Sequence, residues 1–411
     1  MGDGKPTPAM RQYARFKEEH PECVLLFRMG DFYELFYDDA VLVSKQLGLT
    51  LTQRTGGVPL AGVPHHQLEN YLRKLVALGH RVAIADQIQD PSEAKGVVER
   101  AVTQVVTPGT LVDDALLDGA AVNRVAAIVF TESGDDSPAS IAVAELSTGE
   151  LTLFDAKADN LADELASRAI SELVYAESGS GGPPIRTQRV LDRLEIAGTG
   201  RPAWHFRRDE SAQAVLEQFG VTTLSGFGLE ADDPAVAAAG ALIRYLRQTQ
   251  AIGDEGVAAR PGVASAPTLA HLRPPKREEP SGRCVVDAVS LRALEIEQTI
   301  RDGSTKGSVV GLFLGAVGSG GCRTAMGRRL VRDWLCRPTA DLDEITSRHD
   351  RVAALVSDRR LADEVGEALG PIQDVARIAG RLALGRASPR DVVGIGRSVG
   401  IIDRLMELTE T

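Results

Sequence analysis

Residues 259–282, ARPGVASAPTLAHLRPPKREEPSG, constrain the fold of this 411-residue chain more than any other stretch, because the residue pattern changes in kind across them. Before them, short runs of β-branched and aromatic residues alternate with helical spacings, each broken by glycine or proline. From Asp287 on, Arg, Leu, Ala and Glu dominate and the spacing is helical almost throughout. A connector rich in proline, alanine and glycine propagates neither pattern. The chain is therefore expected to be multidomain, α/β followed by α, and its length suits two or three separate cores.

Local signals place elements along the first part. Thr7-Pro8 reads as an N-cap with proline at the first helical position, and that helix should stop before Pro21. VLLF (24–27) and FYELF (32–36) read as strands with Gly30 turning the chain between them. A helix over about 39–47 is closed by Gly48, LTLT (49–52) reads as a strand, and TGGVPLAGVP (55–64) as a loop rich in glycine and proline. Apolar residues at 68, 71, 72, 75, 76 and 78 predict a helix over 65–78, ended by Gly79. Strands follow at 81–88 and 97–106, before the turn TPGT (107–110). A second α/β unit begins near residue 122, with strands at 126–130, 140–146 and 147–154, helices at about 158–170 and 210–219, and a loop at 178–184. In the helical part, starts are expected near Asp341 and Asp374 and a stop before Pro338.

The bulk properties exclude several classes. Hydrophobic and charged fractions of 43% and 25% are ordinary for a soluble protein, and no apolar run approaches the ~20 residues of a membrane span. The N-terminus lacks the apolar core of a secretory signal, so the expected location is cytoplasmic. Cys23, Cys284, Cys322 and Cys336 are too scattered for a metal or redox pair and are expected to be buried thiols. The pair His65-His66 has no ligand-spaced partner, so no metal site is expected. A net charge of −11, concentrated as acid excess in the middle third, gives no hint of the basic stripe that phosphate binding requires.

The pair Phe32 and Glu34 stands out against that background. On a strand, residues i and i+2 project from one face, so a hairpin turned at Gly30 presents both side chains together. Strand alternation by itself favours a core role for such a run. The alternative is a wedge: a phenyl ring slid between base steps costs a few kcal/mol at a sound step and less where pairing is defective. A carboxylate beside it weakens contact with intact duplex yet can hydrogen-bond the exposed edge of a displaced base, which favours faulty DNA over sound DNA.

Context decides between the two. GDFYELFYDDA (30–40), AGVPHHQLENYLRKLV (61–76), DQIQDP (86–91), VERAVTQVVTPGT (98–110) and AMGRRLVRDWLCRP (325–338) occur in the order and spacing of the MutS family, which the chain resembles from Thr7 to its end. The resemblance implies a mixed α/β mismatch-binding domain over 1–115, a ribonuclease-H-like α/β connector over 122–255, and an all-helical segment over 260–411 that starts the core or lever domain. It puts the family's intercalating phenylalanine on Phe32 and its mismatch-contacting glutamate on Glu34. It also implies mismatched double-stranded DNA as partner, a MutL-type repair partner bound through the connector, and a homodimer in the complete protein. ATP and magnesium are implied for the complete family member alone. Two departures are the His65-His66 pair, where an aromatic-His pair is common, and Glu145, where a strand-borne aspartate is common.

No G-x-x-x-x-G-K-[ST] occurs; GSTKGS (303–308) and GAVGSGG (315–321) lack a lysine and hydroxyl after the second glycine. The chain itself is thus expected to be no enzyme, without catalytic or cofactor-binding residues. Its end inside an amphipathic helix suggests a fragment lacking the family's clamp and ATPase. Two rivals remain: a metal-dependent nuclease on the connector, with Glu145 as a possible ligand, and a protein-interaction scaffold. Glu145 lacks companion acids and reads as structural. The scaffold branch of the family lacks the Phe-x-Glu pair present here.

Overall fold

A computed structural model describes residues 7–54, 56–89, 96–113, 116–117, 119, 121–132, 134, 136–179, 181–250, 269–278, 282–315 and 321–409. Much of the connector at 259–282 and most of GAVGSGG lie outside them. The chain divides into two compact units, one of Met1–Leu111 with Tyr245–Thr268, the other of Val112–Arg244 with Leu269–Thr411.

The first unit opens with α1 (Pro8–Glu19), whose N-cap Thr7 accepts from the Met10 amide at 3.4 Å. Then come β1 (Cys23–Met29), β2 (Phe32–Phe36), α2 (Tyr37–Leu47), β3 (Thr52–Arg54), β4 (Val58–Pro64), α3 (Leu68–Ala77), β5 (Arg81–Gln87) and β6 (Arg100–Val106). The strands form one mixed sheet in the order β3-β4-β2-β1-β5-β6, with β1 and β5 parallel and the other pairs antiparallel. One face packs under α1, where Tyr13 and Phe16 meet Phe27 and Phe36; the Tyr13 and Phe36 rings stand edge to face at 4.9 Å.

Two sequence expectations fail in this unit. The loop expected at 55–64 is largely the strand β4, and the strand expected at 49–52 begins only at Thr52. Prolines argue against a central strand because they cannot donate to a ladder. Here Pro59 faces only Gln53 of β3 and Pro64 only Phe32 of β2, so each lies where β4 is paired on one edge alone.

The second unit builds another mixed sheet from β7 (Arg124–Phe130), β8 (Ala139–Glu145), β9 (Glu150–Ala156), β10 (Ile170–Ala176) and β11 (Ala197–Arg201). Between them lie α4 (Leu161–Ser167) and α5 (Ile185–Leu194), and after them α6 (Arg208–Phe219) and α7 (Pro234–Gln250). β7, β8 and β9 form an antiparallel meander, while β10 and β11 add in parallel on the other side of β7. β12 (Lys276–Arg277) closes the β9 edge in parallel, so the segment expected to be all-helical contributes a short strand. Arg277 is held there by Asp155 of β9 and by Asp233. Helices α8 (Ala288–Ala293), α9 (Val309–Phe313), α10 (Ala325–Cys336), α11 (Leu342–Ser357), α12 (Arg359–Leu369), α13 (Val375–Ala383) and α14 (Pro389–Thr409) follow. Asp341 and Asp374 cap α11 and α13 as the sequence predicts.

The helical segment meets the second sheet through a seam of arginines. Arg124 of β7 binds Asp333 of α10 at 2.8 Å and lies 3.4 Å from Glu145 of β8. Arg329 of α10 binds Asp374 and donates to the Gly119 carbonyl at 3.2 Å. Arg377 of α13 is 1% exposed and donates to the Ala121 carbonyl. Glu278 accepts from Arg168 at 2.9 Å and from Arg337. Burial raises the cost of the Asp333 carboxylate, but Arg124, Arg332 and Arg337 outweigh it and hold Asp333 below the usual range.

The cysteines are not uniformly buried as expected. Cys23 and Cys336 are, Cys322 is half-buried, and Cys284 is exposed. Cys284 sits beside the Arg283–Thr339 bridge and donates its amide to the Pro338 carbonyl, so its backbone is fixed while its side chain faces outward.

Candidate nucleic-acid interface

The tip of the β1–β2 hairpin is where the sequence places its pair, and the local geometry follows from four features. Gly30 takes φ +58°, a left-handed conformation that L residues adopt at a cost. The register sets Met29 opposite Phe32 and Phe27 opposite Glu34. On the other side Pro64 faces Phe32, and Gly62 faces Glu34. The Asp31 carbonyl accepts from the His65 amide at 2.8 Å, tying the tip to the turn that precedes α3.

Along β2 a single face runs from core to surface. Phe36 is 0% exposed among the aromatic residues under α1, Glu34 is half-buried, and Phe32 is 46% exposed. The opposite face, Tyr33 and Leu35, is buried, and the Tyr33 hydroxyl donates to Asp86 at 2.8 Å. Burial, then that hydrogen bond, push the Tyr33 phenol well up, so it stays a neutral donor. The Phe32 ring leans over Gly62, where an added Cβ would lie 3.4 Å from its Cδ1. Phe32 is thus an exposed aromatic ring on a strand whose far end is locked in the core.

Glu34 shares that face with two arginines. Arg54 of β3 reaches across β4 and places Nη1 3.7 Å from Glu34 Oε2, with its guanidinium 5.8 Å over the Phe36 ring. Arg100 of β6 lies 5.0 Å over the Phe27 ring. Burial pushes the Glu34 carboxyl up, and Arg54 and Arg100 pull against it. Glu34 Oε2 is buried and accepts no hydrogen bond among the described residues. The sequence reading did not bring Arg54 here, because taking β4 for a loop hid the β3–β4 hairpin that carries it.

The other candidates fall elsewhere. Glu145 is buried beside Arg124 and accepts from Ser147 at 3.3 Å, an internal role in the second sheet. His65 and His66 are exposed in the turn before α3. Among the described residues, no group of three or more His, Cys, Asp or Glu side chains is placed to hold a metal ion, and no helix is long and apolar enough to cross a membrane.

Comparison with known proteins matches three consecutive family models to the chain: MutS domain I over residues 7–115, MutS domain II over 123–252 and MutS domain III over 289–411. Among similar curated proteins, the DNA mismatch repair protein MutS of Salinibacter ruber is 37% identical over 407 residues, 98% of this chain and 42% of that protein. That of Symbiobacterium thermophilum is 38% identical over 410 residues, 97% of this chain and 44% of that protein. That of a Synechococcus strain is 35% identical over 416 residues, 98% of this chain and 46% of that protein. The chain therefore spans less than half the length of these relatives.

Proposed function

Because the chain carries MutS domains I, II and III in order and so belongs to the MutS family, we propose that it reads mispaired or unpaired bases in duplex DNA, with Phe32 as the wedge and Glu34 as the contact to the displaced base. The observation that carries this reading is the exposure of Phe32, 46%, at the outer end of a strand face that runs through the half-buried Glu34 to the fully buried Phe36. A ring whose strand is anchored at Phe36 can enter a base step without dragging the sheet apart. Stacking tests how firmly a step is paired and not what its sequence is, which is the discrimination an error sensor needs. Glu34 adds a penalty against intact duplex and a hydrogen-bonding group for a base that has left its pair.

The remaining assignments rest on the same family reading. Residues 1–115 serve as the mismatch-binding domain. Residues 122–255 serve as the connector, through which a MutL-type partner binds; the antiparallel meander β7-β8-β9 with β10 and β11 added in parallel supports a ribonuclease-H-like sheet. Residues 260–411 begin the lever. ATP hydrolysis with magnesium and homodimer formation belong to the longer family architecture.

A 2-aminopurine probe placed beside an unpaired thymine tests the wedge directly. Binding should change its fluorescence as the ring displaces the neighbouring stack, and Phe32→Ala should remove that change while leaving a matched duplex unaffected. An equal change with both proteins would remove Phe32 from the role.

A further inference from the structure

The Glu34 carboxylate is held in an unusual way. A half-buried carboxylate normally gathers hydrogen bonds, since an unsatisfied buried acceptor is costly. Glu34 Oε2 has none among the described residues, and its nearest cation, Arg54 Nη1 at 3.7 Å, is too far for an N–H···O bond. The charged groups facing Glu34 on this side of the sheet are Arg54 from β3 and Arg100 from β6. β1 contributes Phe27 and Met29, and β4 contributes Leu60, Gly62 and Pro64, none of them charged. Arg100 is committed elsewhere, donating to the Arg28 carbonyl at 2.6 Å, the Val98 carbonyl at 2.8 Å and Gln12 Oε1 at 3.2 Å. Arg54 sits on a three-residue strand at the edge of the sheet, paired with β4 alone. The hold on Glu34 is therefore Coulombic, without a hydrogen bond, and carried by a short edge strand.

We propose that Arg54 is a specificity-determining residue: it is the counter-ion of Glu34 in free protein, and DNA phosphate competes with Glu34 for it. This rests on the reading of Phe32 and Glu34 as the mismatch contact. When a phosphate takes the Arg54 guanidinium, Glu34 is left half-buried with Arg100 as its remaining cation and no hydrogen bond on Oε2 among the described residues. On sound duplex nothing replaces what it lost, so the phosphate contact is partly cancelled. On a mispaired or unpaired base, the exposed base edge satisfies Glu34 and the phosphate contact counts in full. Arg54 thus ties a contact that carries no sequence or pairing information to one that does.

A double-mutant cycle on matched duplex tests this, with Glu34→Ala, Arg54→Gln and both together in the chain or in a longer form that carries it. Glu34→Ala should tighten matched-duplex binding in the wild-type background, because Arg54 is then free for phosphate. That gain should disappear in the Arg54→Gln background, a coupling of about two- to fivefold, the range of partly exposed ion pairs. Arg54→Gln should also lower the salt dependence by about one phosphate contact and raise the midpoint of the Glu34 carboxyl titration followed by carbon NMR; Arg54→Lys should restore both. A structural role for Arg54 would change melting without moving either. An equal gain from Glu34→Ala in both backgrounds overturns the proposal. If the cycle shows coupling while Phe32→Ala keeps wild-type discrimination, the Arg54–Glu34 competition stands and the wedge reading falls.

Discussion

Phe32 and Phe36 lie on one face of one strand, at 46% and 0% exposure, so substituting each by alanine separates recognition from folding. Burying a phenylalanine fully is worth about 1.5–3 kcal/mol in transfer terms, and Phe32 keeps roughly half of its surface in water, so Phe32→Ala should cost about 1 kcal/mol of stability. Phe36→Ala removes a fully buried ring packed against Tyr13 and Phe27 and should cost about 3–5 kcal/mol, including the cavity it leaves. On DNA the order reverses. Losing one base–aromatic stack is worth roughly 1–3 kcal/mol, which is about 5- to 150-fold in the ratio of mismatched to matched affinity. Urea denaturation gives the first pair of numbers. Fluorescence anisotropy against a G·T duplex, an unpaired-T duplex and a matched control gives the second. The reasoning fails if Phe32→Ala destabilises the chain as much as Phe36→Ala does while keeping the wild-type affinity ratio, because Phe32 would then be core.

Glu34→Ala should tighten matched-duplex binding a few-fold and lower discrimination, whereas Glu34→Gln, which removes charge but keeps a hydrogen-bonding group, should retain more discrimination; titrations at two salt concentrations read both, and weaker matched binding by Glu34→Ala refutes the repulsion. Asp333→Ala removes two charge-assisted hydrogen bonds from the mostly buried Arg124, which keeps Glu145 as its carboxylate partner, and should cost about 1.5–3 kcal/mol in urea denaturation, with a loss near zero showing the seam to be adaptable. Since Asp333 is held below its unfolded value, its contribution is present above pH ~4 and is lost as pH falls through the folded value, so acid should destabilise wild type more than Asp333→Ala. Calorimetry with magnesium–ATP should give no saturable binding to this chain, which lacks a phosphate-loop lysine; a saturable isotherm would reveal a phosphate site of another kind.

What could be read from the sequence divides by physical cause. Helix ends were legible because caps act locally: Thr7, Asp341 and Asp374 each accept from a nearby amide, and Gly48 takes the left-handed conformation that closes α2. The orientation of Phe32 and Glu34 was legible because strand alternation is geometric. β4 was not, since glycine and proline describe its one-sided pairing and not its extended backbone. β11 was equally hidden. Its sequence, AGTGR, is poor in strand formers, yet Gly198 fits a close approach of α5: an added Cβ would sit 2.5 Å from Leu191 Cδ1 and push that side chain aside. The neighbours of Glu34 depend on a three-strand crossing of the sheet, which no local pattern encodes.

The arginine seam beneath the helical segment has a consequence for how the second unit responds to heat and solvent. Opening a contact closed by guanidinium–carboxylate pairs exposes polar surface, which lowers heat capacity, where opening an oily contact raises it. The seam should therefore lose strength more slowly on warming than the aromatic and aliphatic core of the sheets, because the penalty for drying ions shrinks as temperature rises. The same contact is vulnerable to a different agent. Guanidinium chloride is both a denaturant and a salt that competes for carboxylates such as Asp333, Asp374 and Glu278. Urea and guanidinium unfolding curves of this unit should consequently differ by more than the usual twofold ratio of their slopes, with guanidinium parting the helices from the sheet first.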